Sequence, residues 1–500
     1  MAAPALPPLP LHMLFFPFVV PGHLLSMLDL ARTFSRRGAK ASVVTIPSTT
    51  AAVRSHVRGS PDGSDDDPIE LIELHLPEAP PSADDTHMGV LCMIRDLHTL
   101  RRPFQKLLRS RRTDCVVSDM FLPWTAEAAR ELGIPRLVFH GVSVFSLCCI
   151  HTIRHGKPLP DRDLGDGEAF VIPDFPNRVE LAWSELPDFI QARTAFTEEM
   201  ERITDLDAAS DGVVANSFYG MDGRYAEHFE KLTGKKAWLV GPIHLHSGRE
   251  HSRVDTGGCL SWLDAQPLHS VVYVCFGSLC EFQQTQLREI SSGLAASRCR
   301  FLWVVKSNVG ESEEDSWPWM SEGLRGRIVE GAGLVVQSWA PQVAILGHGA
   351  VGAFVTHCGW NSVMEAAAAG VPMLTWPLTA EQFYNEKLVT GVLGLGVAVG
   401  RARVWTPGVE GRPLVRAEEI WKAVERVVMG GGGDEAVKLR KRAKETAAMA
   451  HEAVGEGGSS SDDVIHLVHA IHKSKKRIGE KHATPGPKPA VSIRRLETTG

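Results

Sequence analysis

The sequence predicts an α/β protein built from two open, mostly parallel sheets that face each other across a cleft. Three observations carry that expectation. The chain is 500 residues long, more than one hydrophobic core ordinarily serves. It opens on a strand–helix–strand rhythm, and the rhythm restarts after a polar, aperiodic stretch near the middle. Its composition, 44% hydrophobic and 22% charged, is that of an ordinary globular protein.

Residues 11–20 (LHMLFFPFVV) read as a buried strand that stops at Pro21-Gly22. Leu24, Leu25, Leu28 and Ala31 then share one face of a helix over 24–37, and 39–46 (AKASVVTI) form a second strand. The rhythm repeats at 114–117, 124–132 and 136–140. A strand ends at Gly241-Pro242, and the polar stretch 244–258 suits an interdomain linker between domains at 1–243 and 259–455. Past it, 270–276 (SVVYVCF) is a strand, 283–297 a helix and 301–305 a strand; 351–355 is a strand before a helix from Val363, and 371–376 is another strand. Residues 62–67 and 311–315 read as acidic surface loops, and 430–433 as a flexible turn. The tail at 473–500, with KSKK, Pro485, Pro487 and Pro489 and few large apolar residues, is expected to be disordered.

A net charge of −6 argues against a dedicated nucleic-acid binder. Nine cysteines without a C-x-x-C pair suggest neither zinc nor a disulfide framework and fit a reducing compartment. The apolar N-terminus lacks a basic leader, and Pro4, Pro7, Pro8, Pro10 and Pro17 break any apolar helix there. No run of about 18 apolar residues offers a membrane span. A cytoplasmic monomer with no membrane segment and no nucleic-acid partner is the expectation.

The densest chemistry lies at 339–382 (WAPQVAILGHGAVGAFVTHCGWNSVMEAAAAGVPMLTWPLTAEQ). Trp339 stands at a strand end, before Ala340-Pro341, where its ring can stack on a nucleobase; alone it fits a core position equally. Gly359 lets backbone N–H groups approach an anion, and the unpaired donors of the following helix aim the same way. His357, Asn361 and Ser362 can add side-chain donors to a diphosphate, although Ser362 alone could serve only as an N-cap. Glu365, four residues after Asn361, can accept from ribose hydroxyls. Glu381 and Gln382 supply a carboxylate and an amide suited to the vicinal hydroxyls of a hexose.

This segment closely resembles, without a gap, the signature box of the plant UDP-dependent glycosyltransferases, the secondary-product glycosyltransferase family. The resemblance implies that Trp339 and Gln342 hold uracil and Glu365 the ribose. It assigns His357, Asn361 and Ser362 to the diphosphate, and Trp360, Glu381 and Gln382 to the sugar, with the final glutamine associated with UDP-glucose. It extends over about residues 10–472, through SVVYVCFGS at 270–278, which sets Gly277 and Ser278 near the donor phosphates, through Asn216-Ser217-Phe218-Tyr219 and through Gly241-Pro242-Ile243. The implied fold is GT-B, two facing Rossmann-like domains, with a final helix at 456–472 crossing back onto the N-terminal domain.

Glycosyl transfer to a hydroxyl calls for a base, and histidine near neutral pKa suits the role. Among 21 histidines, His23 follows the first strand at a helix start and matches the family's catalytic base. Asp119 ends a strand of the same sheet and matches its acidic partner; without the resemblance it reads as the first acid of the next helix. Inverting direct displacement, with UDP-glucose as donor substrate and neither metal nor cofactor, is the expected mechanism. Asp65-Asp66-Asp67 formally fits a metal-binding D-x-D pattern but lies in a loop with the composition of a solvated turn. Acceptor contacts are expected from Phe18, Phe121, Trp124, Val142 and Phe145, together with segments at 85–93, 140–145 and 186–196. Their aromatic and apolar character suits a lipophilic alcohol or phenol, and any of them could equally be core. The chain resembles a subgroup using flavonoids, terpenoids and steroids; many members carry threonine where Val142 stands.

Two other classes compete. A nicotinamide-dependent oxidoreductase would need G-x-G-x-x-G where this chain has FPFVVPGH, and Gly394, Gly396 and Gly400 follow a helix. A nonenzymatic UDP-sugar sensor would keep the donor box and lose the base, whereas both His23 and Asp119 are present.

Overall fold

The apolar runs assemble into two parallel sheets in a computed structural model that describes residues 11–58, 69–76, 87–156, 169–187, 190, 193–247, 255–278, 280–306, 317–337, 339–400, 414–428 and 433–482. The first sheet comprises β1 (His12–Phe16), β2 (Lys40–Thr45), β3 (Glu70–Glu73), β4 (Cys115–Asp119) and β5 (Arg136–Phe139). A short antiparallel pair, β6 (Ala169–Val171) and β7 (Glu180–Ala182), stands apart from it; β8 (Gly212–Ala215) and β9 (Ala237–Leu239) complete it. Its strand order is β3-β2-β1-β4-β5-β8-β9. The second sheet uses β10 (Val271–Cys275), β11 (Arg300–Val304), β12 (Gly333–Val336), β13 (Val351–Thr356), β14 (Met373–Thr375) and β15 (Gly396–Ala398) in the order β12-β11-β10-β13-β14-β15. Both orders reverse direction beside their first strand, at β1/β4 and at β10/β13. Such switch points leave a crevice at the carboxyl ends of the strands, where open α/β sheets bind ligands.

Period-two alternation places each core. On β1, Met13 and Phe15 enter one apolar cluster with Leu28 and Phe34, while Leu14 and Phe16 enter another with Phe104 and Trp124. On β10, Val272 and Val274 pack with Trp303, whereas Val271 and Tyr273 join a cluster that reaches Phe145 and Tyr225 of the first domain. The domains therefore share apolar contact behind the cleft.

Seven helices matter to the site. They are α1 (Pro21–Ser35), α2 (Val144–His155), α3 (Ala195–Asp207), α4 (Tyr219–Thr233), α5 (Trp360–Ala369), α6 (Gly433–Val454) and α7 (Ser459–His482). Pro21 opens α1, where its missing N–H costs nothing. The N-terminus of α2 is closed by its own Ser143 and by Asp222 of α4, whose carboxylate accepts from Val144 N at 3.0 Å and Phe145 N at 3.2 Å. Helix α5 begins at Trp360, earlier than the sequence reading of Val363, because Gly359 already takes the extended N-cap conformation. Asn361 and Ser362 thus sit in its first turn.

The expected linker starts in a short helix, Ile243–Ser247, and ends in a turn at Thr256–Gly258 whose two glycines are left-handed, with 248–254 outside the described residues. Helix α7 packs back on the first domain: Ser460 Oγ donates to the Gly241 carbonyl at 2.6 Å, Leu239 N donates to Asp463 at 2.8 Å, and Val464, Leu467 and Ile471 join Met13 and Leu28. It also corrects the expected tail, since the helix continues past Lys473 to His482. Lysine, arginine and glutamate there are good helix formers, and the first proline comes only at Pro485. The rest of the expected tail, the acidic loops at 62–67 and 311–315, and residue 85 with most of the turn at 430–433 lie outside the described residues.

Candidate active site

At the first switch point, His23 enters the cleft from α1 and Asp119 ends β4. The His23 Nδ1 lies 2.7 Å from Asp119 Oδ2, with the imidazole a quarter exposed and the carboxylate 0% exposed. The other carboxylate oxygen accepts from Phe121 N at 3.0 Å. Beneath the pair, buried Arg136 donates to the Asp119 carbonyl at 3.2 Å, to Ser118 Oγ at 2.8 Å and to Asp207 at 2.6 Å. Burial pulls the His23 pKa down, but the Asp119 carboxylate and, across the cleft, Glu381 outweigh it and hold it above the ordinary histidine value. Burial also raises the pKa of Glu381, with His23 opposing.

At the second switch point, His357 follows β13 and faces the loop after β10. A Cβ on Gly277 would stand 2.7 Å from His357 Nε2, and one on Gly359 would stand 2.4 Å from it. The glycines are thus required because the imidazole lies against their backbones; Gly359 itself keeps an ordinary negative φ of −58°. The left-handed residue of this turn is Cys358, at φ 64°, a conformation that strains a non-glycine residue. Cys358 is held by a bond from its N to Thr356 Oγ1 at 3.2 Å and by the Asn385 amide on its carbonyl at 2.9 Å. Burial lowers the His357 pKa to about 4, and its Nδ1 is buried without a hydrogen-bond partner.

A cavity of about 1340 Å³ joins the two halves. Its walls include His23, Ser278, Trp339, Ala340, Gln342, His357, Gly359, Trp360, Asn361, Ser362, Glu365, Glu381 and Gln382, together with Phe18, Phe121 and Val142. Trp339 is 59% exposed, which removes the core alternative for that ring. The Gln342 amide donates to Ser362 Oγ at 3.0 Å and Glu365 at 2.8 Å, while its carbonyl accepts from the Tyr273 hydroxyl at 3.2 Å. These bonds fix the Gln342 side chain between β10 and α5. Phe18 and Phe121 pack 4.7 Å apart between ring centroids, and Phe121 lies 5.4 Å from the His23 ring.

Several predicted residues of the cavity already have partners within the protein, and two others lie outside it. The Trp360 side chain is buried and its indole N–H donates to the Asn216 carbonyl of the other domain at 2.8 Å. Asn361 donates to the Gly22 carbonyl at 3.0 Å, so its amide already bridges the cleft. The Gln382 side-chain oxygen accepts from Leu378 N at 2.9 Å and Thr379 N at 3.1 Å, which leaves its NH₂ for a ligand. Trp124 and Phe145 are core residues away from the cavity: Trp124 meets Phe16 and Phe104 edge-on, and Phe145 meets Tyr225 and Phe175. Both lie at helix starts whose first residues turn into the domain. Neither Tyr273 nor the bridging role of Asn216 is signalled by the sequence. Tyr273 sits in an apolar strand whose alternation marks it only as buried, and an asparagine pairing across domains leaves no local pattern.

Two facing Rossmann-like domains with ligand-side loops on both shores define the GT-B class of glycosyltransferase folds. A profile described as UDP-glucoronosyl and UDP-glucosyl transferase matches residues 240–404. The chain is 39% identical over 479 residues to a scopoletin glucosyltransferase of Nicotiana tabacum, covering 92% of this chain and 98% of that one. It is likewise 39% identical over 485 residues to a UDP-glucose flavonoid 3-O-glucosyltransferase of Fragaria ananassa, covering 92% and 95%. A Glycyrrhiza uralensis enzyme crystallised with glycyrrhetinic acid 3-O-monoglucuronide superposes with a TM-score of 0.86 at 36% identity, covering 95% of this chain and 98% of that one. A Medicago truncatula enzyme complexed with UDP-glucose gives 0.76 at 26%, covering 92% and 98%. The chain belongs to the plant UDP-glycosyltransferase family. Among the described residues, no helix is long and apolar enough to cross a membrane.

Proposed function

We propose that this enzyme transfers glucose from UDP-glucose, with inversion, to a hydroxyl of a small lipophilic plant metabolite of the flavonoid, terpenoid or steroid kind. The observation that carries the reading is the 2.7 Å contact of His23 Nδ1 with Asp119 Oδ2 in a cavity shared with the donor segment. With Nδ1 donating to the carboxylate, Nε2 keeps a lone pair for the acceptor proton. The acceptor oxygen bonds to the anomeric carbon as the bond from that carbon to the phosphate oxygen breaks, UDP leaves, and the proton passes to His23. Trp339 and Gln342 hold the uracil, Glu365 the ribose, and Ser278, His357 and the first turn of α5 the diphosphate. Glu381 and the Gln382 NH₂ take the sugar hydroxyls. Fixed donors on the departing diphosphate supply its charge stabilisation in this scheme, so no metal or cofactor has a step. A cytoplasmic, monomeric enzyme completes the proposal.

The reading is tested by UDP release from UDP-glucose with and without a phenolic acceptor, with and without chelator. Acceptor-stimulated release, indifferent to chelator and accompanied by a hexose mass shift on the acceptor, is expected. Binding of UDP-glucose without any release would instead mark a sugar-nucleotide sensor.

A further inference from the structure

The cavity does not stop at the cleft. It continues into the first domain between α2 and α3, and both helices change character along the walls they give it. On α2 the lining runs from Leu147 and Ile150 to His151 and Arg154, and on α3 from Phe196 and Met200 to Thr204 and Asp207. The apolar ends lie nearest His23. Gly141, just before α2, abuts the His23 ring, since a Cβ there would meet the imidazole at 3.6 Å. Phe196 and Met200 share a cluster with Phe18 and Phe121. At a rise of about 1.5 Å per residue, Arg154 stands roughly 15 Å along the axis from Val144. An acceptor held at His23 therefore needs a long apolar body and a polar far arm to fill this space.

Resting on the glucosyltransferase reading above, we propose that the far end is a subsite for a sugar already carried by the acceptor, so that the enzyme adds its glucose to a glycoside. Two polar atoms on that wall, Asp207 Oδ2 and His151 Nδ1, are buried without a hydrogen-bond partner. Leaving such atoms unpaired is costly, and a ligand hydroxyl relieves it. Asp207 is only half used, because its Oδ1 accepts from Arg136 at 2.6 Å. Charges of both signs are interleaved here: Arg154 lies 3.6 Å from Asp205, and Lys235 donates to the carbonyls of Ala208 and Ser210. A carboxylate arm would meet the Asp205 and Asp207 carboxylates as well as Arg154, whose charge Asp205 already faces at 3.6 Å. Sugar hydroxyls both donate and accept, and so suit Asp207 and Arg154 at once.

The test compares kcat/KM, with UDP-glucose as donor, for three acceptors: a flavonol, the same flavonol bearing one glucose remote from the accepting hydroxyl, and an analogue bearing a carboxylate there. The glucoside is expected to be preferred by about tenfold, and Arg154→Ala and Thr204→Val each to remove most of that preference while changing turnover of the bare flavonol less than about twofold. A glucoside no better than the flavonol, variants that depress both alike, or a preferred carboxylate overturns the subsite. If no acceptor stimulates UDP release, the transferase reading itself fails. Calorimetric binding of the flavonol and its glucoside then still decides the subsite, with equal affinities overturning it.

Discussion

The side-chain amide of Asn361 donates to the carbonyl oxygen of Gly22 at 3.0 Å, tying the first turn of α5 to the residue before His23. The helix whose N-terminus the proposal gives to the donor is thereby braced against the loop that carries His23, the proposed base. The Asn216 amide reaches the same Asn361 at 3.4 Å and its carbonyl takes the Trp360 indole, so the brace has a second leg. Asn361→Ala is expected to raise the KM for UDP-glucose about tenfold, the cost of roughly one well-placed hydrogen bond, and to lower kcat as well. Steady-state kinetics with any accepted phenol decides it; unchanged values would mean the bridge is incidental.

With His23 as the proposed base, its raised pKa sets the acidic limb of the rate profile. A general base must be unprotonated, so kcat/KM falls as pH drops through that pKa. Asp119→Asn removes the strongest influence holding the pKa up against burial. The limb therefore moves to lower pH while the plateau drops by about 10²-fold or more. A purely structural role for Asp119 would lower the plateau and leave the limb where it was.

Burial raises the Glu386 pKa from 4.5 to about 7, against opposing help from Lys387 and the Thr375 hydroxyl. The folded state thus holds this proton more tightly than the unfolded chain. Its contribution is fully present below about pH 4.5 and is lost as pH rises through about 7. Thr375 Oγ1 lies 2.9 Å from Glu386 and 3.3 Å from the Val397 carbonyl, and a protonated Glu386 can donate to it and free its hydrogen for the carbonyl. Glu386→Gln, neutral at every pH, is expected to raise Tm at pH 8.5 and change it little at pH 5. The full difference is about 3 kcal/mol at most. Thermal melts at the two pH values measure it; equal shifts would contradict the assignment.

Trp339 is largely exposed, so truncating it should cost binding without costing fold. Trp339→Ala is expected to weaken UDP about tenfold or more, the value of one base–aromatic stack, with Tm nearly unchanged. Calorimetry with UDP gives the answer, and a large fall in Tm would return the ring to a structural role.

The fold was legible because parallel sheets advertise themselves: β1, β4, β10 and β13 are short apolar runs with helices between them. The candidate donor segment was equally legible, since Trp339, His357, Asn361, Glu365 and Glu381 lie close together along the chain and line one cavity. Long-range geometry was not. The His23–Asp119 contact joins residues of different strands, and only the resemblance singled out the pair. Trp124 and Phe145 follow strand ends, where an aromatic turned inward and one turned outward look alike in sequence. The bond of Asn361 to Gly22 is invisible in the sequence, because nothing local encodes a partner in the other domain.

The return of α7 onto the first sheet makes the N-terminal domain discontinuous along the chain, with the C-terminal domain inserted into it. Val464, Leu467 and Ile471 complete an apolar cluster begun by Met13 and Phe15. During synthesis from the N-terminus, that cluster must wait for nearly the whole polypeptide, while the inserted domain can close first. The N-terminal domain is therefore started first and finished last. Its final closure depends on one helix, so clipping the chain before Ser459 should leave an ordered C-terminal domain beside a molten N-terminal one.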